Sequence, residues 1–575
     1  MDYKVSYDNW LTSPYLCDEG LKELKAIEGD DKAIEYAFGA ELEFGTAGMR
    51  GIIGYGTNKM NIYTVRRATQ GLAEFIKSKG SSAMKRGVAI SYDTRNKSDL
   101  FARTAAGVLL YNGIKVYIYP QSRPVPMLSY AVRQLDCYAG IMITASHNPK
   151  EYNGYKVYGA DGAQMSVEDT AEVVKYISAV TDYFSVKEDE IKDISTYKDR
   201  GAYTVIGKSF EKTYYKCLLR LTLSKKAVKE VGKKIKIVYT PVHGSGYIPV
   251  TTVLKKLGIK ATVVEEQTIA DPNFSTVEVP NPEFKETLSM GIALADKIKA
   301  DAVFGTDPDC DRLGVAVRND EGEFVALSGN QTGVLLLDYI LLRLKAENKL
   351  PANGVVVKSF VSTGRAQLVC NNYGVELVET PVGFKYIGEK IKQYECDGSH
   401  TFIFGFEESC GYLRGTHARD KDAVVASMLF AEMACYYESV GKSVYQRLCE
   451  LYAKYGFVLD ATDSIKYSGL SAMSDMNAAV DGMREKTVTA IGNYTVSGVR
   501  DYLTGVRKSE DGEEELNIKG VNCIYYELLS GGFICLRPSG TEPKLKIYYS
   551  VKGKDKAHAE RALEELRANF TALLK

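Results

Sequence analysis

Three times along the chain, a short β-branched run leads through a polar or glycine-containing loop into a helical stretch, a glycine and a second apolar strand. No other feature restricts the fold as much. The runs are GVAISYD from Gly87, KIKIVYTPV from Lys234 and GVVVKSFV from Gly354. Their helices end at YNGIKVYIY, KKLGIKATVVEE and NNYGVELVET, so Gly113, Gly258 and Gly374 hold one recurring place, 145 and 116 residues apart. A glycine after the last helical turn accepts positive φ without a Cβ penalty. The spacing is too long and irregular for a solenoid. The expectation is an α/β protein with three related domains built on mixed, largely parallel sheets. The end of the chain reads differently. GGFICLRPSGTEPKLKIYYSV gives strand, loop and strand, and the helix after it places Leu563, Leu566, Phe570 and Leu574 on one face. That predicts a smaller C-terminal α+β domain.

Composition narrows the function. Lys+Arg and Asp+Glu are both 73 in 575 residues, and zero net charge argues against broad nucleic-acid or anionic-membrane binding. Eleven dispersed cysteines with no C-x-x-C pair suit a reducing compartment. The start, MDYKVSYDNW, has neither a basic n-region nor an apolar h-region. The most apolar segment, AVVASMLFAEMACYY from Ala423, carries Glu432 and reads as a buried helix. The expectation is a cytoplasmic protein with no nucleic-acid, membrane or obligatory protein partner.

Each repeated unit also supplies a further apolar strand with a polar loop at its carboxyl end, the place where open α/β sheets bind ligands. These loops are ITASHNP (Ile143 to Pro149), FGTDPDCDR (Phe304 to Arg312) and FGFEESCGY (Phe404 to Tyr412), and they suggest domains facing one central cleft. Asp307, Asp309 and Asp311 alternate, so in an extended loop their carboxylates share a face. Their mutual repulsion is relieved by a hard divalent cation, and oxygen-only ligands favour Mg²⁺ over Zn²⁺. Taken alone, the same string also fits a solvated acidic turn. Ser146 beside His147 is by itself most simply structural; no G-x-S-x-G and no Walker A string occurs, which leaves phosphoryl chemistry for a serine facing a magnesium site. RPSGTEPKLK gathers Arg537, Ser539, Gly540, Thr541 and Lys544 in a tight loop suited to a phosphate. Glu407, Glu408 and Ser409 offer acceptors for sugar hydroxyls. HGSGYIP from His243 falls short of a dinucleotide fingerprint, because Pro249 stands where the third glycine belongs.

Together and in order, these loops resemble the α-D-phosphohexomutase superfamily over nearly the whole chain. TASHNP is similar to its phosphoserine loop, GTDPDCDR to its magnesium loop, GFEESCGY to its sugar loop and RPSGTEPK to its phosphate loop. FGTAGMRG near Phe44 and SYDTR near Ser91 resemble its N-terminal strings. The resemblance implies four domains, at residues 1–205 with the phosphoserine loop, 206–318 with the magnesium loop, 319–452 with the sugar loop and 453–575 with the phosphate loop. It implies a phosphomutase in which Ser146 carries a phosphoryl group and completes the shell of one Mg²⁺ held by Asp307, Asp309 and Asp311. That group passes to glucose 1-phosphate, giving glucose 1,6-bisphosphate, which reorients and returns its other phosphate to Ser146 as glucose 6-phosphate leaves. Arg50, Lys156 and Arg312 would surround the reacting phosphate with positive charge, and Lys421 would contact substrate. Glu407 and Ser409 would grip the sugar, and Arg537, Ser539, Gly540, Thr541 and Lys544 would hold the non-reacting phosphate. His147 would handle the hydroxyl proton.

Some positions depart from the family. Val382-Gly383-Phe384-Lys385 replaces the common T-G-W-K or T-G-F-K, removing a hydroxyl, and Cys410 stands where an aromatic residue often follows. The Thr-Ala-Gly of FGTAGMRG resembles a subgroup containing both phosphoglucomutases and phosphopentomutases. Glucose is the expected sugar. Phosphopentomutase and phosphomannomutase remain open on the same mechanism, as do glucose 1,6-bisphosphate synthase and an inactive scaffold relative.

Overall fold

The computed structural model describes residues 2–45, 48–198, 201–468, 471–539 and 544–574. The threefold recurrence is present and extends to strand order. The first sheet runs Gly48–Ile52, Tyr152–Gly159, Ala139–Ile143, Val88–Tyr92, Val116–Ile118, Tyr203–Val205. The second runs Phe324–Leu327, Leu313–Arg318, Ala302–Thr306, Ile237–Thr240, Ala261–Val263. The third runs Glu376–Thr380, Gly354–Ser359, Thr401–Glu407, Gly411–Arg414. In each, the first strand of the unit lies parallel to the second on one side and to the loop-bearing strand on the other. The loop-bearing strand then turns back antiparallel. Helices Ser98–Tyr111, Tyr247–Leu257 and Arg365–Tyr373 make the crossovers, and Gly113, Gly258 and Gly374 have φ of 72°, 105° and 68°, as the glycine pattern requires.

One continuous apolar core joins the three domains. It includes Tyr119, Met127 and Tyr158 of the first, Tyr239, Val250 and Phe304 of the second, and Val356, Phe404 and Leu429 of the third. Phe304 meets Phe430 edge-on at 5.5 Å. Helix Ala423–Ser439 is buried along most of its length. Glu432 Oε1 accepts the N–H groups of Leu223 and Ser224 and the Tyr339 hydroxyl at 3.0 Å, which compensates in part a carboxylate that burial pushes up in pKa. Among the described residues, no helix is long and apolar enough to cross a membrane.

The C-terminal domain is an antiparallel sheet, ordered Phe457–Lys466, Lys544–Gly553, Gly532–Pro538, Ile524–Leu528, Tyr494–Asp501, Val506–Ser509, Gly512–Glu515. Helices Ala472–Glu485 and Lys556–Leu574 cover it, and Leu563, Leu566 and Phe570 are buried as their spacing predicts. It docks on the third domain through an apolar cluster in which Phe360 stacks on Tyr502 at 4.3 Å. Three helices before residue 40 were not anticipated. They close around Trp10, which packs on Tyr63 at 5.4 Å and Phe184 at 5.2 Å.

Candidate active site

The three strand-end loops meet, and each turns through a non-glycine residue at positive φ: Ser146 at 51°, Cys310 at 51° and Cys410 at 62°. That conformation costs an L-residue about 1–2 kcal/mol, so neighbours must hold it. Main-chain bonds tie the loops together. The Leu313 N–H donates to the Cys410 carbonyl at 3.0 Å, the Val125 N–H to the Asp309 carbonyl at 3.0 Å, and the Ala423 N–H to the Cys310 carbonyl at 3.3 Å.

At the centre, the Ser146 hydroxyl donates to Asp307 Oδ2 at 3.0 Å and lies 3.2 Å from His147 Nδ1. Asp307, Asp309 and Asp311 are all buried, with one ligand oxygen from each within 4.8 Å of the others. Asp307 Oδ1 accepts the N–H groups of Asp311 and Arg312 at 3.1 and 3.0 Å. Lys156 Nζ reaches Asp309 Oδ2 at 3.1 Å, and Lys421 Nζ reaches Asp311 Oδ2 at 3.0 Å and Asp420 Oδ1 at 3.1 Å. Arg312 pairs with Glu283 and stands 3.9 Å from Asp311.

Burial, reinforced by the charges of Asp309 and Asp311, pushes the Asp307 carboxyl well above the carboxylate range, and burial with Asp309 also raises Asp311. Burial acts the same way on Asp309, but Lys156, its bond to Asp307 and Lys421 together hold that carboxyl low. Oδ1 of Asp309 and Oδ1 of Asp311 are buried with no hydrogen-bond partner among the described residues. Two orphaned oxygens beside a third carboxylate form a hard-oxygen set that a divalent cation fits. Burial, with Arg312 and Arg50, holds His147 well below the usual imidazole range, so it stays neutral near pH 7.

Arg50 Nη1 donates to the Asn148 side chain at 2.9 Å, which places it against the serine loop. Glu407 is buried and accepts the Gly383 N–H at 2.8 Å. Burial, against the pull of Lys421, pushes Glu407 up to about 7. Gly383 has φ of 122°, and Val382 packs into the apolar junction between the third and fourth domains. Ser409 is half-buried beside these groups. Arg537 lies opposite Lys546 across two antiparallel strands, and the Ser539 N–H donates to the Lys544 carbonyl at 2.9 Å. Gly540 and Thr541 lie outside the described residues, as do Thr46 and Ala47 of FGTAGMRG.

Further residues reach the site. Lys546 carries its charge toward His147, Glu408 and Arg312; it is two along the strand from Lys544, so period-two alternation would have found it. Glu408 accepts from the Ser359 and Ser362 hydroxyls at 2.9 and 3.3 Å. Asp93 and Arg95, in the noted string SYDTR, lie buried under the serine loop. HGSGYIP supports the acidic loop: the Ser245 N–H and hydroxyl both donate to the Pro308 carbonyl at 2.8 Å. A Cβ on Gly244 would come within 2.6 Å of Pro308 Cα. His417 is engaged with Asp422 at 2.7 Å, and Asp422 caps helix Ala423–Ser439.

The sequence matches four domain families in order. These are phosphoglucomutase/phosphomannomutase alpha/beta/alpha domain I at residues 41–184, domain II at 212–322, domain III at 328–455 and the C-terminal domain at 478–568. It is similar to the phosphoglucomutase of Staphylococcus haemolyticus, 36% identical over 524 residues that cover 90% of this chain and 91% of the relative. The phosphoglucomutase of Staphylococcus aureus strain USA300 is 36% identical over 520 residues, covering 90% of each. In fold it is similar to the crystal structure of a putative phosphomannomutase from Thermus thermophilus, at 24% identity and a TM-score of 0.68, covering 93% of this chain and 99% of that one. It is likewise similar to the open form of pp63/parafusin from Paramecium, at 15% identity and a TM-score of 0.66, covering 93% and 96%.

Proposed function

The chain belongs to the phosphoglucomutase/phosphomannomutase family of intramolecular phosphotransferases, and on that premise we propose that it interconverts glucose 1-phosphate and glucose 6-phosphate through a phosphorylated Ser146 and glucose 1,6-bisphosphate. The observation that carries this reading is the Ser146 hydroxyl 3.0 Å from Asp307, inside a buried carboxylate triad flanked by Lys156, Lys421 and Arg312.

Asp307, Asp309 and Asp311 would hold one Mg²⁺, which supplies positive charge to neutralise the phosphoryl oxygens. The chain's own groups do the rest. Phospho-Ser146, with about −1.5 to −2 charges, sits among Arg50, Lys156 and Arg312. The sugar's O6 attacks phosphorus as the Oγ–P bond breaks, and the hydroxyl proton leaves O6 while Ser146 Oγ gains one. Neutral His147, with Nδ1 at 3.2 Å from Oγ, can relay a proton at Oγ during each half-reaction and returns to its neutral form between them. After reorientation, Oγ attacks the phosphate at C1 as the O1–P bond breaks, the Oγ proton passes to O1 of the departing sugar, and phospho-Ser146 is restored. Glu407 and Ser409 take sugar hydroxyls in both orientations, and Arg537, Ser539, Lys544 and the loop at Gly540 and Thr541 hold the idle phosphate. The four-domain reading, with the second domain extended to include its edge strand Phe324–Leu327, gives one functional loop to each domain.

The test is a coupled assay with Mg²⁺ and trace glucose 1,6-bisphosphate on glucose, mannose and ribose 1-phosphates, with Ser146→Ala as blank. A glucose rate well above the others and absent in the blank is expected. A ribose or mannose preference would keep the mechanism and replace the sugar. No activity from a folded protein would sink the mutase reading.

A further inference from the structure

Arg95 has a fully buried side chain, and its guanidinium is spent almost entirely on main-chain carbonyls of one loop. Nη2 donates to the Ser146 carbonyl at 2.5 Å and to that of Asn148; Nη1 donates to those of Pro149 at 2.8 Å and Tyr152 at 3.2 Å. Asp93 Oδ2 lies 3.3 Å from Nε, and the Phe274 ring of the second domain lies 5.0 Å from the guanidinium carbon. The same Asp93 oxygen accepts the Thr144 hydroxyl at 2.6 Å, and Thr144 Oγ1 accepts the Ser146 N–H at 2.8 Å. Asp93 Oδ1 takes the Arg95 N–H at 3.0 Å and the Ser98 hydroxyl at 2.7 Å. Both peptide groups of Ser146 therefore end on one buried ion pair: the carbonyl directly on Arg95, the N–H through Thr144 on Asp93.

We infer that the Asp93–Arg95 pair is a positioning element that holds Ser146 in its left-handed conformation and aims its hydroxyl at the carboxylate triad. Three facts support this. Ser146 at φ 51° is in a sparsely populated conformation that persists where the surrounding structure over-determines it. The planar, five-donor guanidinium can serve four carbonyls at once, which a lysine ammonium cannot do in the same plane. Phe274, from the domain that carries Asp307, covers the guanidinium, so the serine loop is registered against the triad-bearing domain. Arg95 touches no reacting atom; its effect runs through the backbone.

The consequence for turnover rests on the phosphoserine reading, so the experiment has two readouts. In full-length Arg95→Lys, hydrogen exchange of the 144–149 segment should rise about tenfold while the strands at 88–92 and 139–143 stay protected. Transfer of labelled phosphate from glucose 1,6-bisphosphate to Ser146, followed by rapid quench, should slow about 30-fold with less than a threefold change in substrate affinity, because small misplacements of a reacting group cost rates of this order. Arg95→Met should be slower still and regain part of its rate in added guanidinium. Wild-type exchange and transfer in Arg95→Lys overturn the inference, as does exchange that rises uniformly through the first domain. Should neither Arg95 variant fold, Thr144→Val leaves every charge in place and should slow transfer about tenfold; a wild-type rate there also overturns it. Failure of wild-type protein to label at Ser146 overturns the phosphoserine reading alone, and the exchange data then decide the positioning claim by themselves.

Discussion

The serine loop and the acidic loop occupy the same place in two copies of one repeat, and both turn through a residue at φ 51°, yet they are held in opposite ways. The acidic loop is secured partly from within: the Asp307 carboxylate accepts N–H groups from Asp311 and Arg312, four and five residues on. The serine loop is secured from outside, by an arginine about fifty residues earlier that collects its carbonyls. The same backbone turn can present a nucleophile or a ligand set, depending on where the neutralising groups come from. Both turns lean on the fold, the acidic one through Ser245, Val125 and Ala423, but only the serine turn is braced by a distant cation.

The largest effect expected from breaking this comparison is at the turn residue that does the chemistry. Ser146→Ala should lower kcat by about 10⁴-fold or more and move Tm by no more than about 3 °C, because only one hydroxyl is lost; steady-state rates with thermal melts decide it, and near-wild-type turnover would remove Ser146 from the mechanism. Next comes Asp309→Asn in the acidic loop. Activity should fall about 100-fold or more and require more Mg²⁺, while Tm without added ion falls far less, since asparagine keeps the side chain's volume and only the charged partner of Lys156 is lost. Equal losses of activity and stability would argue for a structural loop.

The sugar loop sharpens the comparison through pH. Glu407 in the folded protein titrates near 7, above its ordinary 4.5, so the folded state holds a proton that the unfolded state has released between those values. Stability from this group is therefore lost as pH rises toward 7. Glu407→Gln should be more stable than wild type above pH 7, by about 1–3 kcal/mol, and the difference should shrink toward pH 4.5. Melting curves across that range check the sign, and KM for the sugar phosphate should rise in the variant. The smallest effect is expected at Val382→Thr, which should cost about 1 kcal/mol of stability and change the ratio of glucose to ribose rates less than threefold, because Val382 packs into the interdomain cluster. A larger change in sugar preference would show that this side chain reaches the sugar.

Much of the architecture was legible. Period-two apolar runs and terminal glycines are local signals, so the three repeated units, the helix carrying Leu566 and Phe570, and the buried helix with Glu432 could all be read in advance. The alternating aspartates were legible for the same reason. The three N-terminal helices were not, because their packing depends on Trp10 meeting Tyr63 and Phe184 across long sequence separations. Lys546 was missed beside Lys544, although both lie on one face of a strand. Arg95 lies in the string SYDTR, whose sequence assigns it no role, since its partners are backbone carbonyls that leave no mark in the sequence.

The sequence by itself determined what depends on neighbours a few residues apart: the repeat, the strand-end loops, the triad and the residue types available for phosphoryl chemistry. Tertiary structure alone decided which of those loops meet, that Lys156 answers Asp309 while Lys421 answers Asp311, that Arg312 turns to Glu283, and that Ser146 is braced by Arg95. Charges and carbonyls can pair with many partners at similar energy in an extended chain; burial makes the unpaired alternatives too costly and leaves one set.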